Sequence, residues 1–357
     1  MKPNILLIYT GGTIGMMKDQ DTGALKAFDF DKLLIHIPEL KQLDCTIDTM
    51  SFKDPIDSSD MDMKHWREIG ATINDNYNAY DGYVVLHGSD TMSYTASTLS
   101  FMFENLSKPV IFTGSQLPIG DLRTDAKENL ITSIQLASIC EHKKPVIREV
   151  CIYFEYQLYR ANRTSKLNAE HFEAFSSPNY PPLAISGVHL NIDKSLLWRG
   201  VDENYAFAKA ESQHLNELNN DLCYRSELVP DIAVLRLFPG ITRNTVSSIC
   251  GIKGLRGLIL ETYGSGNAPT HQWFVDELRT AIGRGVAIVN VTQCKGGAVQ
   301  MGKYATSVAL RDLGIVSGKD MTIEASVAKM MYLLQHTADF KSFKEYFETS
   351  LRGELTA

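Results

Sequence analysis

Apolar residues along this chain fall into short runs, and each run ends in a glycine or polar cluster. In the first half these are Ile5 to Tyr9 into T-G-G-T, Tyr83 to Leu86 into H-G-S-D-T, Val110 to Phe112 into T-G-S-Q, and Val150 to Phe154. Between them lie helical patterns. Over 62–78, Trp66, Ile69, Ile73 and Tyr77 are spaced by three and four, which predicts an amphipathic helix, with Asp60 placed to cap its start. The segment 125–140 follows the same pattern. Strands alternating with helices predict a parallel sheet covered on both faces, whose ligand crevice lies beyond the carboxyl ends of the strands. The glycine and polar clusters sit at those ends, so the pattern alone points to one location.

From about 190 to 228 the apolar runs disappear and Asn, Asp, Ser and Glu take over, including N-E-L-N-N-D at 216–221. That change reads as an interdomain connection. A second, smaller set of strands follows at 232–238, 257–262 and 286–291, with a helical pattern over 324–336. The expected organisation is an α/β chain with an N-terminal catalytic domain over 1–189, a linker region over 190–228 and a C-terminal α/β domain over 229–357. A length of 357 residues agrees with two domains, since a single core seldom grows that far.

Composition narrows the function. Apolar residues at 44% and charged residues at 22% are ordinary for a globular protein. The formal net charge of -7 argues against a nucleic-acid partner, whose recognition needs a basic surface, and favours a small molecule. The six cysteines (45, 140, 151, 223, 250, 294) are scattered with no C-x-x-C pair, as expected of free thiols in the cytoplasm. The five apolar residues before T-G-G-T are too few for a signal-peptide core, and no stretch approaches the ~20 needed to span a membrane. No membrane partner is expected.

Four clusters carry candidate chemistry. In T-G-G-T-I-G at 10–15, paired glycines let backbone N–H groups face a ligand, and Thr13 puts a hydroxyl among them, the layout a nucleophile beside an oxyanion hole requires. Taken alone, the motif reads first as a tight strand-to-helix turn capped by Thr13. It lacks the spacing of a dinucleotide or phosphate loop. In H-G-S-D-T-M at 87–92, Ser89 and Asp90 can position water or hold an ammonium group, or simply start a helix. His87 reads as structural, with no partner at metal-ligand spacing. D-S-S-D at 57–60 offers hydroxyls and N–H groups suited to a carboxylate, and equally to capping. N-R-T-S-K at 162–166 ends in Lys166, either a base in a desolvated pocket or a surface charge.

Together these clusters resemble the bacterial-type L-asparaginases, specifically their cytoplasmic type I branch. The resemblance runs nearly the whole length, through Y-T-G-G-T-I-G-M, D-S-S-D-M, H-G-S-D-T-M, S-K-P-V-I-F-T-G-S-Q, L-Y-R-A-N-R-T-S-K, Y-G-S-G-N-A-P, N-V-T-Q-C and L-R-G-E-L-T. It implies a larger N-terminal α/β domain with a mainly parallel sheet and a smaller C-terminal α/β domain, assembled as a homodimer or homotetramer. It also implies hydrolysis of L-asparagine through an acyl-enzyme on Thr13, with minor glutaminase activity and no cofactor or metal. Ser89, Asp90 and Lys166 match the family's proton-relay and activating groups, and Asp90 also meets the substrate ammonium. Asp57, Ser58 and Ser59 fall on the substrate-binding segment, with the two serines at the carboxylate, and Ser115 lies where backbone approaches the side-chain amide.

Three departures from the family pattern stand out. Serine replaces the usual threonine at 89, keeping the hydroxyl and losing the methyl that fixes its rotamer. The loop tyrosine is missing around Ala24, and Tyr304 is expected to supply a phenol instead. A candidate effector site matches Thr292, Gln293 and Cys294, but Glu261 stands where an arginine would grip the effector carboxylate, so cooperativity is not expected and Cys294 reads as core. Two rivals remain. An asparaginase-like subunit of a transfer-RNA amidotransferase is expected to carry more sequence before its nucleophile, and a non-catalytic amino-acid binder would not need Thr13.

Overall fold

A computed structural model describes residues 2–18, 25–27, 37–199, 222–302 and 305–356. The chain divides into two compact units, one of residues up to 200 together with 217–226, the other including 227–357.

The first unit is built on eight strands: β1 (Asn4–Gly11), β2 (Thr46–Ile56), β3 (Gly82–Leu86), β4 (Val110–Thr113), β5 (Val150–Phe154), β6 (Gln157–Arg160), β7 (Ala184–Ser186) and β8 (Leu190–Ile192). Their order is β8-β7-β6-β5-β4-β3-β1-β2. β2, β1, β3, β4 and β5 run parallel, while β6, β7 and β8 add antiparallel. The four apolar runs are thus the four central parallel strands. They lack polar alternation because both faces are covered. Ile5, Leu7, Tyr9, Val84, Leu86 and Ile111 pack on one face with Leu130 and Ile134 of a helix at Ala126–Ser138, and the intervening Leu6, Ile8, Val85 and Phe112 are equally buried.

Strand β2 is not evident as an apolar run. It is an edge strand in which only Phe52 is buried, so Asp48, Lys53 and Asp54 dominate its composition. Charges and a proline on an exposed edge also discourage pairing with other chains. The helix expected over 62–78 spans Met63–Asp75, and its cap differs from expectation: Asp62, not Asp60, accepts from the N–H groups of Lys64 (2.9 Å) and His65 (3.2 Å). Asp60 belongs to a preceding single turn, Ser58–Asp60. The stretch expected as a linker opens with β8, part of the large sheet, and 200–221 lies outside the described residues.

The second unit holds a parallel sheet of β9 (Ile232–Arg236), β10 (Gly257–Thr262), β11 (Ala287–Thr292) and β12 (Val316–Ser317) in sequential order. Leu235, Leu258, Leu260 and Ile288 form its core with Phe274 and Leu278 from the helix Gln272–Gly283. The helix predicted at 324–336 spans Ile323–His336, with Thr322 as its cap. Among the described residues no helix is long and apolar enough to cross a membrane.

Candidate active site

The first unit's sheet turns back on itself at β1, since the chain goes to β2 on one side and then to β3 on the other. That is the switch point where ligands bind in open α/β sheets. Local clamps bring the strand ends into register there. The Thr10 hydroxyl donates to the Leu86 carbonyl (2.9 Å), and His87 N–H donates to the Thr113 carbonyl (2.9 Å). The Thr113 hydroxyl in turn donates to the Tyr153 carbonyl (2.8 Å), so β1, β3, β4 and β5 end together.

Glycines then let the turns interlock. A Cβ on Gly12 would stand 2.6 Å from the Gly88 Cα, one on Gly88 2.5 Å from the Ser58 Oγ, and one on Gly114 2.4 Å from the His87 carbonyl oxygen. Gly11 and Gly12 also adopt φ values of 136° and 87°, which L side chains rarely tolerate. The consequence is that the turns carrying Thr13, Ser58, Ser89 and Ser115 meet at close quarters. Thr13 opens a single turn, Thr13–Gly15, is half-buried, and its hydroxyl makes no hydrogen bond among the described residues.

Lys166 brings the next element in. It lies on the short strand Ser165–Lys166, paired with Phe175–Ser176, and its Nζ donates to Ser89 Oγ (2.8 Å) and Asp90 Oδ1 (2.7 Å). The Lys166 side chain is 16% exposed and that of Asp90 67%, so the pair faces outward at its carboxylate end. Asp57 accepts from both the N–H (2.9 Å) and the hydroxyl (2.8 Å) of Ser59, and these bonds hold its carboxyl below the usual range. Ser58 is buried and its carbonyl accepts from the Thr91 hydroxyl (2.7 Å). Ser115 turns its hydroxyl onto the Leu117 carbonyl (2.6 Å), which leaves its backbone as the part able to face a ligand.

His87 is fully buried, and burial lowers its pKa to about 4 despite the bond between Nδ1 and the Gly88 carbonyl (2.7 Å). A neutral ring there supports the turn from beneath. Among the described residues, no three His, Cys, Asp or Glu side chains gather as a metal-ligand set.

Gln116 belongs to this site and was not singled out in the sequence. The Ser89 hydroxyl donates to its Oε1 at 3.4 Å, while its Nε2 donates to the carbonyls of Ala169 (3.2 Å) and His171 (3.0 Å). Its position directly after T-G-S at a strand end was the available signal. Ala24 and Tyr304 lie outside the described residues.

The second candidate cluster, at the ends of β10 and β11, is arranged differently. The Thr292 hydroxyl donates to the Gly264 carbonyl (2.5 Å), and Gln293 Nε2 donates to the carbonyls of Leu237 (2.6 Å) and Glu261 (2.8 Å). Glu261 pairs with Arg236 at 3.4 Å. Cys294 is exposed, not core: the chain has left β11 at Thr292, and the Cys294 N–H is tied to the Thr292 hydroxyl at the surface (3.1 Å).

Residues 4–197 match the family model described as "Asparaginase, N-terminal", and residues 231–347 match "Glutaminase/Asparaginase C-terminal domain". The chain belongs to the asparaginase family. It is 38% identical to L-asparaginase 1 of Escherichia coli K12 over 99% of this chain and 98% of that protein. The crystal structure of L-asparaginase I from Vibrio cholerae superimposes with a TM-score of 0.86 at 38% identity, covering 100% of both chains. A glutamyl-tRNA(Gln) amidotransferase component from Pyrococcus furiosus is 30% identical over 99% of this chain and 77% of that protein. The type I branch and the two-part α/β fold expected from the motifs both stand.

Proposed function

We propose that this asparaginase-family chain hydrolyses the side-chain amide of L-asparagine to L-aspartate and ammonia through Thr13. The observation that carries the reading is the Lys166 Nζ bridge to Ser89 and Asp90, on turns that interlock with the one holding Thr13. Asparagine brings a carboxylate and an ammonium to its pocket, so recognition needs donors for one and an acceptor for the other. Ser58 and Ser59 on the turn held by Asp57 supply the first, and the outward-facing carboxylate of Asp90 supplies the second.

In the first step the Thr13 Oγ bonds to the amide carbon as its proton goes to Ser89 Oγ, the bonded Ser89–Lys166 pair gives one proton to the leaving nitrogen, and the C–N bond breaks to release ammonia. N–H groups of the glycine turn and the backbone at Ser115 stabilise the oxyanion. A water then attacks the ester, loses its proton to the same relay, and returns the hydroxyl to Thr13 as aspartate leaves. Tyr304 is assigned the phenol that assists Thr13, and Tyr304→Phe with unaltered turnover would remove it from that role. Glutamine, one methylene longer, is a poorer substrate by ~1 to 3 kcal/mol. The protein is assigned to the cytoplasm, where free thiols persist, as a homodimer or homotetramer.

Ammonia release from asparagine and glutamine by the wild type and by Thr13→Ala tests the reading. Asparagine turnover that disappears with the substitution supports it. A wild type inactive on both amides would move the assignment to a binding module or an amidotransferase component.

A further inference from the structure

We infer that Gln116 is a positioning residue that sets the direction in which the Ser89 hydroxyl holds its proton. The inference rests on the proposed role of Ser89 as a relay. Lys166 Nζ donates to the Ser89 Oγ at 2.8 Å, so one lone pair of that oxygen is occupied by a donor. The hydroxyl hydrogen must then leave toward an acceptor, and Gln116 Oε1 at 3.4 Å is the one that the described residues supply. The contact is long, as hydrogen bonds of a site without substrate commonly are.

The orientation of the Gln116 amide is determined by its surroundings. Its Nε2 has two hydrogens, and the carbonyls of Ala169 and His171 accept them at 3.2 and 3.0 Å. Rotating the amide by 180° would bring its oxygen against two carbonyl oxygens, so only Oε1 can face Ser89. The backbone of Gln116 is fixed as well. Asp125 accepts from Gln116 N–H (2.9 Å) and Leu117 N–H (3.1 Å), and Asn129 Nδ2 donates to the Gly114 carbonyl (3.0 Å), which anchors this turn to the start of the helix Ala126–Ser138. A freely rotating hydroxyl becomes one whose hydrogen points along a single line. This matters more for serine than for threonine, because the Ser89 rotamer has no methyl to fix it.

Gln116 also lines an open cleft of about 690 Å³ with Leu117, Arg123 and Phe172, so the nearly isosteric Gln116→Met fits without strain. With its hydrogen on Gln116 and one lone pair taken by Lys166, the Ser89 oxygen keeps its other lone pair to accept the Thr13 proton. Removing Oε1 leaves the substrate-binding groups in place but frees the Ser89 hydrogen to occupy that direction. The test is asparagine turnover by four proteins: wild type, Gln116→Met, Ser89→Ala and the double variant. The expected result is a kcat for Gln116→Met lower by roughly ten- to a hundredfold, part of what acid-base positioning supplies, with KM within about threefold. In the Ser89→Ala background the same change should lower kcat no further. Wild-type kcat in Gln116→Met overturns the inference, and so does an equal fall in both backgrounds, which a loosened 168–173 loop alone would give. If Ser89→Ala itself turned over at the wild-type rate, the relay reading would be the one that failed, and the inference would fall with it.

Discussion

Each unit of this protein holds a lysine paired with a carboxylate, and the two pairs are built to opposite ends. Lys329, in the second unit, is completely buried and spends all three of its hydrogens: on the carbonyls of Phe347 (2.9 Å) and Thr349 (2.5 Å) and on Glu354. Glu354 is saturated too, accepting from the N–H groups of Leu351 (3.0 Å) and Arg352 (2.7 Å). Burial opposes its ionisation, but Lys329 and those N–H groups outweigh it and hold the carboxyl below its usual range. Lys166, in the first unit, spends two hydrogens on Ser89 and Asp90 and has one left for a newcomer, next to a carboxylate that is mostly in solvent. A saturated ion pair can fasten a chain end but has nothing to offer a substrate. An unsaturated one gives up stability in return for chemistry.

The largest effect expected from that contrast is a crossed pair of single variants. Lys166→Met should lower asparagine turnover roughly a thousandfold, in the range that acid-base groups supply, with little change in denaturant midpoint. Lys329→Met should do the reverse. It strands a buried carboxylate and should cost about 3 to 5 kcal/mol of stability while leaving kcat per folded molecule unchanged. A Lys329→Met protein that melts like the wild type would break the comparison at its structural end. Replacing both members, Lys329→Met with Glu354→Leu, sharpens it: part of the lost stability should return, since no lone charge is left inside, though the backbone groups both partners had satisfied stay unpaired.

How much of this was readable beforehand follows from what each element exposes. The four central strands were legible because burial on both faces makes them continuous apolar runs ending in glycine or polar clusters. Strand β2 was not, because an edge strand needs only Phe52 inside and otherwise reads as a polar loop. The glycine and polar clusters stand at the strand ends because parallel topology forces them there, and the order of the motifs supplied the proposed residue assignments. Gln116 escaped because an amide's value lies in which carbonyls it meets, here Ala169 and His171, more than fifty residues away along the chain. Asp60 and Asp62 both precede the same apolar face, and only the chain's path through the single turn Ser58–Asp60 makes Asp62 the cap.

Two residues before the Ser89 that the open lysine contacts, His87 is a closed group, and acid should expose that difference. Its pKa is lowered to about 4 by burial, whereas in the unfolded chain it takes the ordinary value near 6.5. The unfolded state therefore binds more protons between these values, so the stability His87 contributes is complete above pH 6.5 and is lost as pH falls through 4. About 2.5 pH units of difference correspond to about 3 kcal/mol. Urea unfolding followed from pH 7.5 to 4.5 should give a fall in stability that His87→Gln flattens. An identical slope in the variant would mean that the ring titrates normally and that the turn it supports is less closed than its burial implies.

The smallest effect is expected where the two kinds of pair meet halfway. Arg236 reaches Glu261 at 3.4 Å with its own side chain 61% exposed and that of Glu261 only 10% exposed. A pair so open at one end is worth less than about 1 kcal/mol, and Arg236→Ala should move the unfolding midpoint by no more than that. Its functional consequence is more telling. Around it, Thr292 and Gln293 have already given their hydrogens to carbonyls of the same unit, and a carboxylate brought up to Glu261 would meet like charge. The dependence of rate on asparagine concentration should therefore be hyperbolic in the wild type and remain so in Arg236→Ala. Glu261→Arg would reverse the charge at that spot and is the variant in which curvature should first appear. A sigmoidal curve in the wild type would mean that these polar groups are less committed than their hydrogen bonds imply, and that the second unit's strand ends, like the first's, are open to a ligand.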